Sequence, residues 1–479
     1  MKGRCSLETQ RAVMSSASLF DLVLVTSFNF VYGLIVGTMG LVVLPAEARR
    51  MYPEMESLVL GLSLGLVGVS QLVCPLVGRV SDMHASRTQC GRRFPYILPA
   101  SVFGIFSVVS MWISSAYYSG WGYYTGLFVG MLNLNTIYSV SSGLIPDLLR
   151  SAMQQKRASA VVAIHSVLGS ACGFLMVIST NSVDFHAIYA VYCALLILTS
   201  TTMVVVAVRI EKRDSAHKAP LALRNFLFPL SYLHEEETPL MTPRTVDSRR
   251  TRILSYPVLS CSEALSSFAI DTSNGLDFLW VFIGRTMYYI AVSVQAFMMF
   301  FLRDVVVGNE ALTDLGSQVA VIALVAQAVG ASLAYPASML SKLTGMKPIV
   351  YGSCTLMALV YAGFICAPLA KSFGFSYILL WSVVYGAGNG AFLSVDYALA
   401  MQTLPDKDAP AQALGIWGVS AFIGSSFGPL IWGMMVQWIG SPIDGSEHYR
   451  YRGYLSMLVC GIVACGAAGG FIGFVKGVK

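Results

Sequence analysis

Charged residues are scarce in this chain: only 12% of its 479 residues are Asp, Glu, Lys or Arg, whereas 56% are hydrophobic. Soluble domains carry about 25% charged residues. The ten cysteines include no Cys-x-x-Cys pair and no His/Cys cluster, so neither a zinc site nor a disulfide framework is indicated. No nucleophile–base constellation or phosphate-binding loop stands out. These absences argue against an enzyme, a metal site or a cofactor, and predict a polytopic membrane protein.

Targeting and glycosylation signals are also lacking. Residues 1–18 are polar and mixed, and the apolar run that follows them is too long for the core of a cleavable signal peptide. No Asn-x-Ser/Thr sequon occurs. The net charge of +6 comes from basic residues that lie singly or in short clusters between apolar runs, which is typical of topology signals. We therefore expect no nucleic-acid partner, and we expect the lipid bilayer to surround the chain.

Apolar runs of about twenty residues recur along the chain, which is the length that an α-helix needs to cross a bilayer. The predicted spans are 19–44, 57–78, 94–115, 121–145, 158–181, 185–208, 277–301, 315–340, 347–368, 373–401, 411–438 and 453–474. This predicts an all-α membrane protein with a six-helix bundle at 19–209 and another at 277–474. Short segments at 1–18 and 475–479 flank the bundles, and a polar linker at 210–276 joins them.

The distribution of Lys and Arg predicts the orientation. If residue 1 is cytoplasmic, 24 of the 31 basic residues lie in cytoplasmic segments, six lie in external loops, and Arg285 lies within a span. Because cytoplasmic loops carry an excess of Lys and Arg, both termini and the linker are predicted to be cytoplasmic. The linker is rich in Ser, Pro and charges of both signs, which is typical of disorder. A sorting signal resembling an acidic dileucine motif at 236–241, or a regulatory role, remains an alternative to a plain linker.

An internal repeat is visible at an offset of 255 residues. Ser139-Val-Ser141 aligns with Ser394-Val-Asp396, and the segment 169–173 aligns with 424–428, each beginning and ending with glycine. The identities are few. Together with the arrangement of six spans, a linker and six spans, they predict two related halves, as in many secondary transporters.

A charged loop between the second and third predicted spans carries a family resemblance. Its motif reads Gly78-Arg-Val-Ser-Asp82, then Ser86-Arg87, then Gly91-Arg-Arg-Phe-Pro-Tyr96. The loop resembles the helix 2–3 loop of the major facilitator superfamily, and more narrowly that of the sucrose transporters and the wider glycoside–cation symporter branch. Two extra residues between Arg87 and Gly91 depart from that pattern. Residues 133–173 and 404–429 also resemble such carriers, whereas the Pro-Glu-Ser-Pro-Arg motif of classical sugar porters is absent after the sixth span.

The resemblance implies twelve transmembrane helices in two six-helix pseudo-repeats, the major facilitator fold. It also implies that the loop residues latch the cytoplasmic side when the carrier faces outward, by pairing acid with guanidinium. A simpler interpretation is that the arginines only hold the loop inside. The residues of this expected cytoplasmic gate motif are Gly78, Arg79, Asp82, Arg87, Gly91, Arg92 and Arg93.

Two ionisable residues lie well inside predicted spans, Arg285 in the seventh and Asp396 in the tenth. A charge at membrane depth is costly unless it is paired or hydrated, so each is a functional candidate. Both lie on the order of 10 Å from the predicted cytoplasmic face, counted at 1.5 Å per residue. We therefore expect that they could meet, either as part of a transport cycle or as a static structural pair.

A polar solute path needs neutral hydrogen-bonding groups as well, because a buried hydroxyl without a partner is costly. Family analogy implies that helices 1, 4, 7 and 10 line the central cavity. Each polar residue alone could instead join two helices. The candidates for the substrate and proton pathway are Asn29, Tyr32, Asn133, Asn135, His165, Arg285, Tyr288, Gln295, Asn389 and Asp396.

The sequence thus predicts a secondary active transporter that moves a small polar solute, with a sugar or glycoside favoured, by alternating access and proton symport. The expected partners are the solute and protons, and the expected functional unit is a monomer. A uniporter or exporter of another organic solute, and a membrane sensor that signals through the linker, remain alternatives. The expected location is the plasma membrane or an endolysosomal or vacuolar membrane.

Overall fold

A computed structural model describes most of the two predicted bundles. The described residues are 19–83, 93–148, 152–179, 185–205, 270, 275–307, 315–370, 374–405, 410–441 and 448–478. The segment 1–18 and nearly all of the linker 210–276, including the motif at 236–241, lie outside them. Within this part of the chain the secondary structure is almost entirely helical.

Twelve long helices, α1 to α12, follow the twelve predicted spans in the described part of the chain. They are α1 Leu22–Met51, α2 Glu56–Ser81, α3 Phe94–Ala116, α4 Gly120–Leu148, α5 Ala152–Ser179, α6 Phe185–Val205, α7 Asp277–Val306, α8 Leu315–Thr344, α9 Met346–Ile365, α10 Gly374–Gln402, α11 Pro410–Gly440 and α12 Tyr451–Gly473. Eleven of them are long and apolar enough to cross a membrane. The other is α4, which contains Asn133 and Asn135.

Two helices, α1 and α7, extend furthest beyond their predicted last residues. α1 continues to Met51 through a π-helical turn at Met39–Val43, and α7 continues to Val306 with a second π-helical turn at Leu302–Val307. The sequence prediction ended these spans at residues 44 and 301 because charged residues follow. Two of those charged residues, Glu47 and Arg303, are instead buried inside the protein, where ion pairs and hydrogen bonds satisfy them.

Close backbone contacts hold the helices of each half together. A Cβ atom added to Gly169 of α5 would lie 1.9 Å from the Phe30 carbonyl oxygen of α1. A Cβ added to Gly424 of α11 would lie 2.7 Å from the Thr286 carbonyl oxygen of α7. Only residues without a side chain allow this approach. The two glycines are 255 residues apart, so the predicted repeat corresponds to the same packing, α1 on α5 and α7 on α11.

The two halves meet at one end of the bundle. We call the end where α2 begins the Glu56 end, and the end where the charged loop follows α2 the Gly78 end. At the Glu56 end α2 packs on α11, and a Cβ added to Gly61 would lie 2.5 Å from the Pro429 carbonyl oxygen. α5 packs on α8 in the same region, where Gln327 donates to the Ser170 hydroxyl over 2.5 Å.

The halves separate toward the Gly78 end. α8 shows this directly, since Leu315 and Val319 near its start are buried, whereas most residues from 331 to 344 are exposed around the helix, with Leu343 87% exposed. α8 then connects to α9 through Gly345 alone, whose φ of 92° lies in the left-handed region that favours glycine. In the described part of the chain, the halves therefore pack less closely at the Gly78 end than at the Glu56 end.

Candidate functional site

Arg285 and Asp396 form a buried ion pair between α7 and α10. The Arg285 Nε donates to both carboxylate oxygens of Asp396, over 3.0 Å to Oδ1 and 2.9 Å to Oδ2. The two residues are only 6% and 4% exposed. An unpaired charge at this depth would be strongly disfavoured. Each of the two residues can therefore be buried in the membrane region only because the other one pairs with it.

Other groups of the same half surround the Arg285 guanidinium. Nη1 donates to the Trp417 carbonyl oxygen over 2.6 Å and to the Ser420 hydroxyl over 2.9 Å, both in α11. The guanidinium carbon lies 3.6 Å from the centroid of a Trp417 ring and 4.9 Å from that of Tyr289. All of these partners belong to α7, α10 and α11. The pair therefore ties three helices of the second half together and does not bridge the two halves.

Tyr32 and Asn135 form a neutral pair at the corresponding place in the first half. The Tyr32 hydroxyl donates to the Asn135 Oδ1 over 2.8 Å, and the Asn135 amide donates to the Ser70 hydroxyl of α2 over 2.8 Å. Tyr32 also stacks on Tyr138, with ring centroids 4.5 Å apart. This chain of contacts connects α1, α4 and α2.

The second half repeats this hydrogen bond. The Tyr288 hydroxyl donates to the Asn389 Oδ1 over 3.1 Å, and the Tyr288 ring stacks on Phe392 with centroids 3.5 Å apart. Tyr288 lies 256 residues after Tyr32, and Asn389 lies 254 residues after Asn135. The sequence identified all four residues as candidates, but the structure shows that they form two equivalent pairs.

The remaining predicted pathway residues have more local contacts. Asn29 donates to the Thr26 carbonyl oxygen over 3.1 Å, and Asn133 donates to the Val129 carbonyl oxygen over 2.7 Å, each within its own helix. His165 Nδ1 lies 3.0 Å from the Thr26 hydroxyl, which joins α5 to α1. The structure therefore does not place Asn29 and Asn133 in hydrogen bonds with the Tyr32 pair.

Gln295 borders a small cavity between the halves. Its Oε1 accepts a 2.7 Å hydrogen bond from the Tyr385 hydroxyl of α10. The cavity measures about 40 Å³ and is lined by Leu41 of α1 together with residues of α7, α8, α9 and α10, including Ser382. That volume holds only a few water molecules. This part of the interface is thus nearly closed in the conformation described.

The described members of the predicted gate motif brace the first half. Arg93 is 5% exposed and donates from Nη1 to the Ser81 hydroxyl over 2.9 Å. A Cβ on Gly143 of α4 would lie 2.4 Å from the Arg93 guanidinium, and one on Gly78 would lie 3.3 Å from the Ser139 hydroxyl, also in α4. These contacts join α2, α3 and α4. The Asp82 side chain, Arg87, Gly91 and Arg92 lie outside the described part.

Sequence reasoning missed a second buried ion pair, which does bridge the halves. Arg303 of α7 donates from Nη1 to the Glu56 Oε2 of α2 over 3.0 Å, and its Nη2 donates to the other oxygen of the same carboxylate. Arg303 is 1% exposed and Glu56 is fully buried. The prediction assigned Arg303 to an external loop and began the second span after Glu56. The only signal available was that both residues lie within two positions of predicted span ends.

Several groups of the second half complete this cluster at the Glu56 end. Asp304 Oδ1 accepts from the Arg303 Nε over 2.6 Å and lies 2.9 Å from His448 Nδ1, while its Oδ2 accepts from the Tyr454 hydroxyl over 2.6 Å. Tyr449, between α11 and α12, accepts at its hydroxyl from the Ser57 amide over 3.3 Å. Burial raises the pKa of Tyr449 to about 12. The cluster therefore holds α2 against α7 and against the segment that leads into α12.

Comparison with known families agrees with this architecture. A sequence model described as Major Facilitator Superfamily matches residues 134–409, which is more than half of the chain. No curated protein matches the chain in sequence.

Solved structures show the same fold over nearly the whole chain. The nucleoside transporter NupG superposes with a TM-score of 0.63 at 13% identity, covering 95% of this chain and 99% of its own. A D-xylose–proton symporter superposes with a TM-score of 0.62 at 13% identity, covering 96% and 99%. A POT family transporter in complex with 5-aminolevulinic acid gives 0.60 at 11% identity, covering 95% and 96%. At these identities the likeness is one of fold.

Proposed function

Because the chain belongs to the major facilitator superfamily, we propose that it is a secondary active transporter that moves a small polar organic solute across a membrane by alternating access. The favoured solute is a sugar or glycoside, and the favoured coupling is proton symport. The observation that carries this proposal is the buried Arg285–Asp396 pair, because a protein retains such a costly pair at membrane depth chiefly where it serves function.

Asp396 is the group that we assign to proton coupling. Its carboxylate faces the guanidinium of Arg285, and the neighbouring groups on α7 and α11 include Tyr289 and Trp417. Protonation would remove the carboxylate charge and weaken its hold on Arg285. The guanidinium would then be free to donate to a solute hydroxyl or to allow α7 and α10 to shift. Proton binding and solute binding would thereby favour the same rearrangement.

Polar residues on four helices support a hydroxylated solute. The Tyr32–Asn135 and Tyr288–Asn389 pairs place phenol and amide groups on α1, α4, α7 and α10, the helices that family analogy assigns to the cavity. Such groups can both donate to and accept from a sugar hydroxyl. The resemblance of the Gly78–Tyr96 loop to sucrose transporters favours the same solute class. The named cargo of two structural neighbours, a nucleoside and D-xylose, is consistent with it.

The Glu56–Arg303 cluster supplies the gate on the opposite side of the solute. With the orientation predicted from Lys and Arg, the Glu56 end is external and the Gly78 end is cytoplasmic. The halves meet at the Glu56 end and separate toward the Gly78 end, so this conformation is open to the cytoplasm. Opening to the outside requires Arg303 to part from Glu56. That cross-half pair therefore stabilises the inward-facing state relative to the outward-facing state.

Reconstitution into proteoliposomes tests the proposal. A panel of labelled monosaccharides, disaccharides, glycosides and nucleosides would be offered with and without an inward proton gradient. We expect at least one sugar or glycoside to accumulate against its own gradient only when the proton gradient is present. If the flux of every transported solute were independent of the proton gradient, the symport proposal would be overturned and a uniporter would be favoured. Transport restricted to non-sugar solutes would overturn the solute class.

A further inference from the structure

A crevice of about 480 Å³ lies where the two halves meet, beside the α2–α11 contact. α2 provides one wall, the beginning of α4 and Tyr52 provide another, and α11 of the second half closes it. No charged side chain contributes to this lining. The lining residues are Tyr52, Val59, Leu62, Ser63, Gly65, Leu66, Val69, Trp121, Tyr124, Ser426, Phe427 and Leu430.

The crevice opens to the outside of the bundle. Leu62 and Val69 of α2 are 51% and 47% exposed, and Phe427 of α11 is 54% exposed. These residues lie between Glu56 and the middle of the helices, at the depth where the halves are in contact and leave no wide space between them. Their exposed surfaces therefore face the hydrocarbon of the membrane. Trp121, 89% exposed near the start of α4, lies where interfacial aromatic residues are common.

Small residues create the crevice. Gly65 allows the Leu430 side chain to approach within 3.2 Å of its missing Cβ position, and the Ser426 hydroxyl oxygen lies 1.5 Å from the missing Cβ position of Gly68. α11 thus contacts the glycine face of α2 directly. The larger side chains on the adjacent face of α2, Leu62, Leu66 and Val69, lie next to α11. The crevice is the gap between these side chains and α11.

We propose that this crevice binds one acyl chain of a membrane phospholipid. Its size lies within the range of about 300–1,000 Å³ that is typical of small-molecule sites. The lining surface is largely apolar and carries no charge, so it cannot compensate an ionised ligand. Its opening faces the acyl chains of the surrounding bilayer. Because lipid hydrocarbon is as apolar as the lining, binding comes from packing against the walls and the chain exchanges with bulk lipid.

The position of the crevice couples the bound acyl chain to the conformation. Val59 and Leu66 belong to the first half, whereas Phe427 and Leu430 belong to the second. A displacement of α11 relative to α2 changes the shape of the crevice. An acyl chain that fits the arrangement described here binds that arrangement more tightly than any other, and therefore increases its population.

Photolabelling tests this site without relying on transport. The purified protein is reconstituted in phosphatidylcholine vesicles that contain a trace of phosphatidylcholine with a photoreactive group in one acyl chain, and labelled peptides are mapped. We expect peptides of α2, α4 and α11 to be labelled several-fold more than peptides from other membrane-facing surfaces. Even labelling around the protein would overturn the proposal.

Matched variants sharpen the test. Leu66→Trp and Val69→Trp add bulk to the crevice, whereas Leu380→Trp adds the same bulk to α10, where Leu380 is 64% exposed and outside the crevice lining. We expect several-fold less labelling of the crevice peptides in the first two variants and no change in the third. Unchanged labelling in Val69→Trp, which alters an exposed residue, would contradict the site. Competition by a sterol probe, with no effect of added phospholipid, would assign the crevice to sterol instead of an acyl chain.

Discussion

The two halves of the molecule share one polar framework and differ in its charge. Tyr32 bonds to Asn135 in the first half, and Tyr288 bonds to Asn389 in the second, at nearly the same offset along the chain. The glycines that join α1 to α5 and α7 to α11 repeat in the same way. A common scaffold is thus present twice.

The positions beside this framework have diverged. Arg285 lies 256 residues after Asn29, and Asp396 lies 255 residues after Ser141. Ser420, which accepts from Arg285, lies 255 residues after His165. The first half therefore has neutral residues where the second half has the ion pair. This difference indicates that both halves can contribute to holding a solute, whereas the proposed coupling belongs to the second half alone.

The largest effect is expected from breaking the ion pair of the second half. Arg285→Asn alone leaves the Asp396 carboxylate buried without its partner, which costs about 3–5 kcal/mol. The double variant Arg285→Asn with Asp396→Ser gives the second half the residues of the first. We expect the single variant to unfold at a markedly lower temperature and the double variant to recover most of the loss. Thermal unfolding in detergent measures both.

The same double variant tests coupling. A proton-coupled wild type should accumulate solute faster as the external pH falls, whereas the double variant should transport without that dependence because the protonatable group is gone. Ser141→Ala, at the equivalent position of the first half, serves as the control and should keep the pH dependence. If the pH profile of the double variant matched that of the wild type, Asp396 would not be the group that couples proton binding to transport.

The next largest effect concerns the boundary between the halves. Glu56→Gln leaves Arg303 without the carboxylate of the other half, and losing one partner of a buried charge pair costs about 2–5 kcal/mol. We expect the Glu56 end to open more often. A cysteine at Ser57, which is fully buried, should then react faster with a membrane-impermeant maleimide applied from outside.

Glu47 provides a matched control for that experiment. It is equally buried, but its partners Arg50 and Ser115 belong to the same half. Glu47→Gln should therefore lower stability without increasing the labelling of the cysteine at Ser57. Equal labelling in both variants would mean that the Glu56–Arg303 pair is a structural contact and not a gate.

A smaller effect is expected at the two glycine contacts, which the comparison of the two halves predicts to be equivalent. Gly169→Ala and Gly424→Ala each force a methyl group against the backbone of the partner helix, and overpacking of this kind costs about 1–3 kcal/mol. Gly466→Ala in α12 is the control, since no atom lies within 4 Å of its added Cβ. Thermal unfolding should show similar losses for the first two variants and almost none for the third. A large difference between Gly169→Ala and Gly424→Ala would show that the two contacts are not equivalent.

The smallest effect is expected from the neutral pairs. Tyr32→Phe and Tyr288→Phe each remove one hydrogen bond, which is worth about 1 kcal/mol. If both tyrosines face the solute, each variant should raise the KM for uptake a few-fold and leave the pH profile unchanged. A change in KM for only one of them would place the solute nearer that half.

The sequence indicated that Arg285 and Asp396 could meet, because both positions could be counted from span ends on helices of opposite direction. It also identified Tyr32, Asn135, Tyr288 and Asn389, but only as separate polar residues. It missed the Glu56–Arg303 pair, because residues near a span end look like loop residues in hydropathy. Their burial depends on contact between helices 247 residues apart along the chain.

What the sequence determined by itself is the set of twelve spans, their division into two halves and their alternating direction. The bilayer imposes this, because each span must be long and apolar enough to cross it and must satisfy its own backbone hydrogen bonds locally. Only the tertiary structure decided that one buried ion pair lies within a half and the other between halves. That distinction depends on how two complete bundles pack, and no local pattern of residues encodes it.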